Sequence, residues 1–402
     1  MRAVESTDVP AMIRPAGPRA GQSTPRVKLV AVVGARPNFV KMAALLRALS
    51  STSTAVAIDV VLVHTGQHYD VAMNTQFFAQ LGIPEPDICL QAGSGSHAVQ
   101  TATIMLRFER VLDQVAPDCI LLVGDVNSTI ACALVAAKKQ IKVVHVEAGL
   151  RSGDRAMPEE LNRLLTDQLS DRLYVTEPAA CLNLRREGIP DDRVVFSGNV
   201  MIDTLLTHRD RAVPAAQTLA AAGAGPLAEA GYAVVTLHRP SNVDDGGALS
   251  RLVQVLDQIA HDIPLVFPVH PRTRQALQAA GLQGFLDQPD VVALAPLGYF
   301  EMLGLMADAT FVLTDSGGIQ EETTALGVPC LTVRENTERP VTIEQGTNTL
   351  TGTDARVIRQ CVRDILETGG KRGRVPEKWD GHAAERIVAD LSRWLCAGGG
   401  SR

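Results

Sequence analysis

The stretch Thr314-Asp315-Ser316-Gly317-Gly318-Ile319-Gln320-Glu321-Glu322 decides the fold. An apolar segment, residues 309–313, precedes it and predicts a buried strand. Residues 319–326 follow it and predict a helix that ends near Gly327 and Pro329. The two glycines of the stretch therefore lie where a buried strand turns into a helix.

This strand-to-helix turn has the features of an anion-binding site. The first N–H groups of a helix have no intrahelical partner, and the helix dipole favours negative charge there. Gly317 and Gly318 lack the Cβ atoms that would keep a phosphate away from the backbone. Glu321 and Glu322 follow in the first turns, where carboxylates can accept hydrogen bonds from sugar hydroxyls. A tight turn in any α/β protein has the same pattern, so this stretch alone leaves a structural role equally open.

Length and composition limit the classes of protein. The 402 residues are enough for two or three domains. The net charge of −6 gives no basic footprint for nucleic acid. No apolar run reaches the ~18 residues that a membrane-spanning helix needs, so no membrane partner is expected. Residues 1–26 are rich in Pro, Gly, Arg and Ser and predict a disordered leader rather than a secretory signal, which favours a cytoplasmic protein.

The cysteine pattern argues against disulfides and metal sites. The seven cysteines are scattered without a C-x-x-C pair, and several lie in apolar runs typical of reduced core residues. Neither a D-x-D-like pattern nor metal-ligand spacing of His and Cys is found, so we expect no required metal. No G-x-G-x-x-G follows the first strand, which makes an NAD-dependent role improbable. We therefore expect no cofactor.

Strand and helix patterns alternate along almost the whole chain, which indicates α/β domains with parallel sheets. A helix is expected from about Phe39, and residues 71–116 look helical except for a loop around 84–96. We predict an N-terminal Rossmann-like domain, 27–198, completed by a C-terminal helix at 381–397, and a second Rossmann-like domain, 199–380. The predicted strands are 27–33, 58–63, 119–123, 142–146, 172–175, 193–196, 232–237, 264–268, 291–294, 309–313 and 330–333.

Polar clusters follow these strands at their carboxyl ends, where open parallel sheets bind ligands. Two domains facing each other would gather the clusters into one cleft. Cationic or glycine-rich groups suited to anions are Arg36, Lys41, Arg339 and the turn 316–318. Carboxylates are Asp125, Glu147, Glu159, Glu321 and Glu322, with His238 and His270 as the neighbouring imidazoles. A ligand with a diphosphate at one end and a hydroxylated ring at the other fits this division, which points to a nucleoside diphosphate sugar.

Each candidate residue also has a purely structural interpretation. Asp125 can be a helix N-cap, and Arg36 can cap a helix or pair with a nearby acid. Glu159 and Arg163 are four residues apart on a predicted helix that begins at Pro158, so spacing alone favours a surface ion pair. A single histidine at a strand end is more often structural than catalytic.

Seven motifs in order give the chain a resemblance to a known family. It resembles the non-hydrolysing UDP-N-acetylglucosamine 2-epimerases over roughly residues 27–397. The motifs are Gly34-Ala35-Arg36-Pro37, Thr65-Gly66-Gln67-His68, Gly124-Asp125, His145-Val146-Glu147-Ala148-Gly149-Leu150-Arg151, Pro158-Glu159-Glu160-Leu161-Asn162-Arg163, Asp315-Ser316-Gly317-Gly318-Ile319-Gln320-Glu321-Glu322 and Thr337-Glu338-Arg339-Pro340.

The resemblance implies a fold, a reaction and a set of roles. It implies a GT-B type fold of two Rossmann-like domains, a cytoplasmic homodimer, and conversion of UDP-N-acetylglucosamine to UDP-N-acetylmannosamine through a 2-acetamidoglucal intermediate held beside UDP. Matching positions for the family's catalytic residues are Asp125, Glu147, Glu159, Arg163 and His238. Matching positions for substrate and UDP binding are Arg36, Lys41, Ser316, Gly317, Gly318, Glu322 and Arg339, with Gln67, His270 and Met302 as further predicted contacts.

Some features of the sequence leave alternatives open. His238 is followed by Arg-Pro-Ser-Asn-Val, where many members of the family have an Arg-Arg-Glu-Ser-like run. Gln67-His68 is followed by Tyr69-Asp70, unlike many bacterial members, which leaves activation by substrate at a regulatory site undecided. Relatives that act on UDP-linked diacetamido uronic acids share most of the motifs, so the substituents at C3 and C6 also stay open. The other functions to be weighed are a GT-B glycosyltransferase, a hydrolysing epimerase and a nucleotide-binding regulator without turnover.

Overall fold

The computed structural model describes residues 26–51, 54–67 and 78–398. Apart from Arg26, the predicted leader lies outside the described residues. The stretch 68–70 also lies outside them, and it includes Tyr69 and Asp70, the residues that bear on activation by substrate. The chain forms two compact units. The first contains the residues up to Val200 and those from His382 onward, and the second contains Met201–Gly381.

A parallel sheet of seven strands forms the centre of the first unit. Its strand order is β3-β2-β1-β4-β5-β6-β7, and every neighbouring pair is parallel. The central strands are apolar and fully buried because helices cover both faces of the sheet. The strands are β1 (Arg26–Val33), β2 (Ala57–His64), β3 (Ile88–Cys89), β4 (Cys119–Val123), β5 (Lys142–Ala148), β6 (Arg172–Val175) and β7 (Val194–Phe196).

The helices of the first unit include one from the end of the chain. Helix α16 (Ala383–Gly398) belongs to this unit and bonds to it through Asp390, which accepts from Arg172 at 2.7 Å. The C-terminal helix therefore returns to the N-terminal half, as the predicted fold class requires. The other helices assigned here are α1 (Arg36–Ser51), α2 (His97–Val115), α3 (Asn127–Lys138), α4 (Pro158–Leu169) and α5 (Pro178–Arg186).

A second parallel sheet of six strands forms the centre of the second unit. Its order is β10-β9-β8-β11-β12-β13, again with all neighbours parallel. Its core is a cluster of aliphatic and phenylalanine side chains between the sheet and its helices. The strands are β8 (Ala233–Thr236), β9 (Leu265–Pro268), β10 (Val291–Leu294), β11 (Phe311–Thr314), β12 (Cys330–Thr332) and β13 (Asn348–Leu350).

The helices of the second unit begin with α6, which starts at the boundary between the units. Helices α7 and α8 fall in the Ala-rich stretch 213–230. The helices are α6 (Val200–His208), α7 (Ala215–Ala221), α8 (Leu227–Ala230), α9 (Pro240–Val243), α10 (Gly246–Ala260), α11 (Pro271–Ala279), α12 (Tyr299–Ala307), α13 (Gly317–Leu326), α14 (Pro340–Glu344) and α15 (Ala355–Thr368).

Several predicted boundaries were wrong. Helix α1 begins at Arg36 rather than near Phe39, with Pro37 in its first turn, where proline is well tolerated. Strand β5 continues to Ala148, so Glu147 lies within the strand instead of after it. The loop predicted around 84–96 contains the short strand β3, and β13 was missed altogether.

The cysteines are free, and their burial differs. Cys119, Cys132 and Cys330 are buried, as expected for core residues, whereas Cys396 is exposed near the end of α16. Among the described residues, no helix is both long enough and apolar enough to cross a membrane.

Candidate active site

The strand order of the first sheet reverses between β1 and β4. Ligands of open parallel sheets bind at such a switch point. Gly34 follows β1 and Gly124 follows β4. A Cβ atom on Gly34 would lie 2.3 Å from the hydroxyl oxygen of Ser128, so only glycine allows this close approach. Gly124 has φ +71°, a conformation in which residues with side chains are strained.

A buried ion pair joins this switch point to the end of β5. Lys41 Nζ of α1 contacts Glu147 Oε2, and the two side chains are only 4 % and 2 % exposed. The ammonium group also lies beside Gly124, 3.5 Å from where a Cβ would be. Glu147 has φ +70° at an irregularity in the β5–β6 pairing, a backbone conformation that costs about 1–2 kcal/mol in a residue other than glycine. Such strain in a buried, charged residue is typical of functional sites.

Arg163 of α4 links two further carboxylates. One arm of its guanidinium donates to Asp125 Oδ2 at 2.6 Å, and the other donates to Glu160 Oε2 at 2.6 Å. Arg163 is only 2 % exposed, so its side chain is buried and does not lie on the surface, as its spacing with Glu159 had suggested. Burial raises the pKa of Glu160, but Arg163 and the Ser152 amide more than offset this and hold the pKa below its usual value.

Amide and hydroxyl side chains support these ion pairs. Asn162 donates to the backbone carbonyl of Asp125 at 2.8 Å. The backbone of Asp125 is therefore held by Asn162 and its side chain by Arg163. Ser128 donates to Gln67 Oε1 at 2.8 Å and is 2.7 Å from the hydroxyl of Thr65. The predicted binding residue Gln67 therefore lies at the same strand ends as Asp125.

The second sheet has its own switch point, between β8 and β11. Asp315, directly after β11, is fully buried and accepts the backbone N–H of His238 at 3.0 Å and of Arg239 at 2.9 Å. Its Oδ1 atom is also 2.9 Å from His238 Nδ1. Burial acts to raise the pKa of Asp315, but the hydrogen bonds from His238 and Arg239 hold the pKa below its ordinary value. The carboxylate therefore fixes the orientation of the imidazole, whose side chain is 39 % exposed.

The beginning of α13 is shaped for close approach. Its N-cap, Ser316, makes no capping hydrogen bond with its side chain, so that side chain leaves the first N–H groups of the helix available. A Cβ on Gly317 would lie 2.4 Å from Arg339 Nη1 and 2.7 Å from Glu338 Oε1. Arg339 in turn lies 3.0 Å from Glu321 Oε2. A guanidinium and a helix N-terminus thus meet at one glycine, an arrangement that suits phosphate.

Glu322 lies in the same helix, in an apolar environment. Burial raises its pKa to about 7, and the neighbouring Glu321 carboxylate acts in the same direction, while the hydroxyl of Tyr299 partly opposes both. Burial and the nearby Glu322 raise the pKa of Tyr299 well above its ordinary value. A carboxyl that titrates near neutrality is a common feature of functional sites.

The structure places the remaining predicted residues less centrally. Glu159 is half-buried in the first turn of α4. His270 is the N-cap of α11, and its ring centroid lies 5.8 Å from that of His238. Met302 packs against the apolar core of the second unit. Arg36 begins α1, but its side chain lies outside what the structure describes.

Comparison with known proteins identifies the family. The sequence profile of UDP-N-acetylglucosamine 2-epimerase matches residues 50–392. The chain belongs to the UDP-N-acetylglucosamine 2-epimerase family. It is therefore an epimerase with the predicted α/β fold of two Rossmann-like domains of the GT-B type.

Similar members of the family come from distant organisms. The UDP-N-acetylglucosamine 2-epimerase of Methanocaldococcus jannaschii is 38 % identical over 91 % of this chain and 99 % of its own. A crystal structure of that enzyme in complex with UDP-GlcNAc and UDP matches with a TM-score of 0.80, covering 91 % of this chain and 99 % of that one. The UDP-2,3-diacetamido-2,3-dideoxy-D-glucuronate 2-epimerase of Pseudomonas aeruginosa is also 38 % identical, over 85 % of this chain and 92 % of its own.

Two residues of the candidate site were missing from the set predicted from sequence. Asp315 orients His238, and its place directly after a buried strand was the available signal. Glu160 binds Arg163, although helical spacing marked Glu159 equally well. The choice between these two depends on the loop at 152–153, whose N–H groups donate to Glu160 at 2.9 and 3.0 Å.

Proposed function

We propose that the chain epimerises UDP-N-acetylglucosamine at C2, giving UDP-N-acetylmannosamine by elimination and re-addition of UDP. A base removes the C2 proton while the C1–O bond breaks, and UDP leaves with the bonding electrons. The ring becomes 2-acetamidoglucal. Addition of a proton to the opposite face of C2 and return of the UDP oxygen to C1 complete the inversion.

The observation that carries this proposal is the grouping of paired carboxylates in the first unit. Asp125 is held by Arg163 at 2.6 Å and Glu147 by Lys41, at the ends of two neighbouring strands. The C2 proton is very weakly acidic, so its removal must be coupled to departure of the diphosphate. Two carboxylates in different surroundings can serve as base on one face and acid on the other.

In this proposal the second unit binds the nucleotide. The N-terminus of α13 and Arg339 receive the diphosphate, and Glu322 receives hydroxyl groups. His238, held by Asp315, stabilises the charge that develops on the leaving oxygen. The glucal must be kept from water, so we expect the enzyme to close over it during turnover.

Solvent exchange at C2 tests this function. The protein is incubated with UDP-N-acetylglucosamine alone in deuterium oxide, and the sugar is followed by NMR. Epimerisation predicts deuterium at C2 and both epimers of the intact nucleotide sugar. A glycosyltransferase without acceptor, or a regulator without turnover, gives no deuterium. A hydrolysing epimerase gives free UDP, which phosphorus NMR detects.

One observation supports an alternative nucleotide sugar as the substrate. The relative from Pseudomonas aeruginosa, named for a UDP-diacetamido-glucuronate, is as similar in sequence as the one from Methanocaldococcus jannaschii. The reaction at C2 would be the same, and only the C3 and C6 groups of the sugar would differ. Comparing kcat/KM for the two nucleotide sugars decides between them, because specificity is set by that ratio.

The family resemblance also supports a homodimer working in the cytoplasm. Light scattering of the purified protein measures its molar mass directly. A mass near twice 42.9 kDa agrees with the dimer, and a mass near 42.9 kDa contradicts it.

A further inference from the structure

A buried hydrogen-bond chain in the first unit joins β5 to α4. It links His145 with Asp167, both fully buried, and neither was predicted to contact substrate. We propose that His145 and Asp167 are positioning residues, which fix the strand ends that carry Asp125 and Glu147. This inference rests on the proposed function, because it assigns those two carboxylates to the reaction.

Asp167 ties α4 to the segment that follows Glu147. Its Oδ1 atom is 2.7 Å from His145 Nδ1. Its Oδ2 atom accepts the N–H of Gly149 at 3.0 Å and Arg151 Nη2 at 2.7 Å. Gly149 has no room for a side chain, since a Cβ would lie 2.6 Å from the carbonyl oxygen of Ala180. The backbone two residues after Glu147 is therefore held on both sides.

His145 extends this connection to the neighbouring strand. Its Nε2 atom is 2.9 Å from the carbonyl oxygen of Gly124, the residue before Asp125. A carbonyl oxygen only accepts, so Nε2 carries a hydrogen. One imidazole thus bridges the ends of β4 and β5 through hydrogen bonds with no exposure to solvent.

The charge of Asp167 follows from its hydrogen-bond partners. Burial acts to raise the pKa of Asp167, but His145 and Arg151 hold it below its ordinary value, so the carboxylate is ionised and only accepts. Both ring nitrogens of His145 face acceptors, a carboxylate oxygen at Nδ1 and a carbonyl oxygen at Nε2. Arg151 also pairs with Glu187 at 2.6 Å, so its guanidinium lies between two carboxylates.

Helix α4 holds Asp125 in two ways. Arg163 and Asp167 are four residues apart on one buried face of the helix. Arg163 binds the Asp125 side chain, while Asp167 acts through His145 on the backbone just before it. Loss of one connection lets the strand end shift relative to the helix. A displacement of about 1 Å in a reacting group can lower the rate by about a hundredfold.

Two substitutions of Asp167 separate positioning from general stability. Asp167→Asn keeps the shape, because its amide can donate to a neutral His145 ring while its oxygen accepts from Gly149 and Arg151. Asp167→Ala removes all three bonds. We expect kcat to fall about 100-fold in Asp167→Ala and less than about 10-fold in Asp167→Asn. KM should change less than about twofold in both variants, because the diphosphate site proposed at α13 and Arg339 belongs to the second unit.

Tyr174→Phe is the matched control, since it breaks a buried hydrogen bond from the tyrosine hydroxyl to Asp390, 2.9 Å away, elsewhere in the same unit. It should lower thermal stability and leave kcat unchanged. A loss of kcat in Tyr174→Phe as large as in Asp167→Ala would overturn the positioning role. An Asp167→Ala enzyme with unchanged kcat would also overturn it. If Asp167→Ala does not fold, a loss of kcat of about 100-fold or more in Asp167→Asn would overturn it, because that variant should keep the three hydrogen bonds.

Nitrogen NMR of the histidine rings gives a readout that does not depend on turnover. The Nε2–H of His145 faces the carbonyl oxygen of Gly124 away from solvent, so its signal should be protected from exchange in the wild-type protein and in Asp167→Asn. That protection should be lost in Asp167→Ala. An unprotected Nε2–H in the wild-type protein overturns the inference. Absence of deuterium exchange by the wild-type enzyme would instead count against the proposed function.

Discussion

Arg163 and Asp125 form an ion pair with a 2.6 Å contact, and the guanidinium is almost completely buried. The same guanidinium binds Glu160 at 2.6 Å. One cation therefore neutralises two carboxylates, and its loss leaves both without their charged partner. Removal of one member of a buried ion pair is far more costly than removal of an exposed one.

Arg163→Gln should therefore lower the free energy of unfolding by about 3 kcal/mol, because it leaves uncompensated negative charge in the interior. Urea unfolding measures the change. Arg185→Gln is the matched control, since Arg185 pairs with Asp191 at 2.9 Å with both side chains more than half exposed. That variant should lose much less stability, because water and salt screen an exposed ion pair. Equal losses in the two variants would contradict the buried network.

Asp125→Asn and Glu147→Gln should still fold, with lower stability because each removes the partner of a buried cation, and should lose most turnover. General acid–base groups contribute about 10²- to 10⁴-fold, so deuterium exchange at C2 should slow by that factor. UDP affinity, measured by calorimetry, should stay within about twofold. Asp118→Asn is the control, because Asp118 precedes the strand that Asp125 follows and accepts the Lys28 N–H at 2.8 Å. Near-normal exchange in either test variant removes that residue from the catalytic set.

The sequence was sufficient to predict both sheets because their central strands are apolar runs that end in glycine and polar residues. Strand β13 was not predicted, because Asn348 and Thr349 make it polar. Asn348 is nevertheless fully buried, because Thr332, Thr342 and Gln320 satisfy its side chain with hydrogen bonds of 2.7–3.1 Å. Such compensation comes from residues up to 28 positions away and is invisible to a local pattern.

The candidate site shows the same limit. Strand-end position led to Asp125 and Glu147, because parallel strands bring their carboxyl ends to one edge. The partners of these residues depend on tertiary contacts. Lys41 was assigned to the nucleotide, but in the structure it binds Glu147. The bond between His145 and Asp167 spans 22 residues of sequence and matches no motif spacing.

Gly317→Ala tests the phosphate site proposed at α13. The added methyl group would lie 2.4 Å from Arg339 Nη1 and 2.7 Å from Glu338, so the guanidinium must move. We expect UDP affinity to fall at least about tenfold, the loss of one charge-assisted hydrogen bond. Gly246→Ala is the control. Gly246 also begins a helix, but nothing lies within 4 Å of its Cβ position. Titration calorimetry with UDP compares the two, and equal affinities would remove Gly317 from the nucleotide site.

Glu322→Gln should change stability in a pH-dependent way. Burial raises the folded-state pKa of Glu322 to about 7, above the ordinary value of 4.5. Between these two values the folded state binds more protons than the unfolded state, so this residue makes stability fall as pH rises. Above pH 7 the full cost is present, and at 1.36 kcal/mol for each pKa unit it amounts to about 3 kcal/mol.

The variant removes this cost, so we expect it to unfold at higher urea than wild type at pH 8 and at nearly the same concentration at pH 4.5. Glu321→Gln is the neighbouring control. It removes the carboxylate 3.0 Å from Arg339 and should lower stability at pH 8. UDP affinity of Glu322→Gln should also depend less on pH between 6 and 8 than that of the wild type, because the carboxyl that titrates there is gone while the phosphate of UDP still titrates. If Glu322→Gln is no more stable than the wild type at pH 8, burial does not raise the pKa of Glu322, and this prediction is wrong.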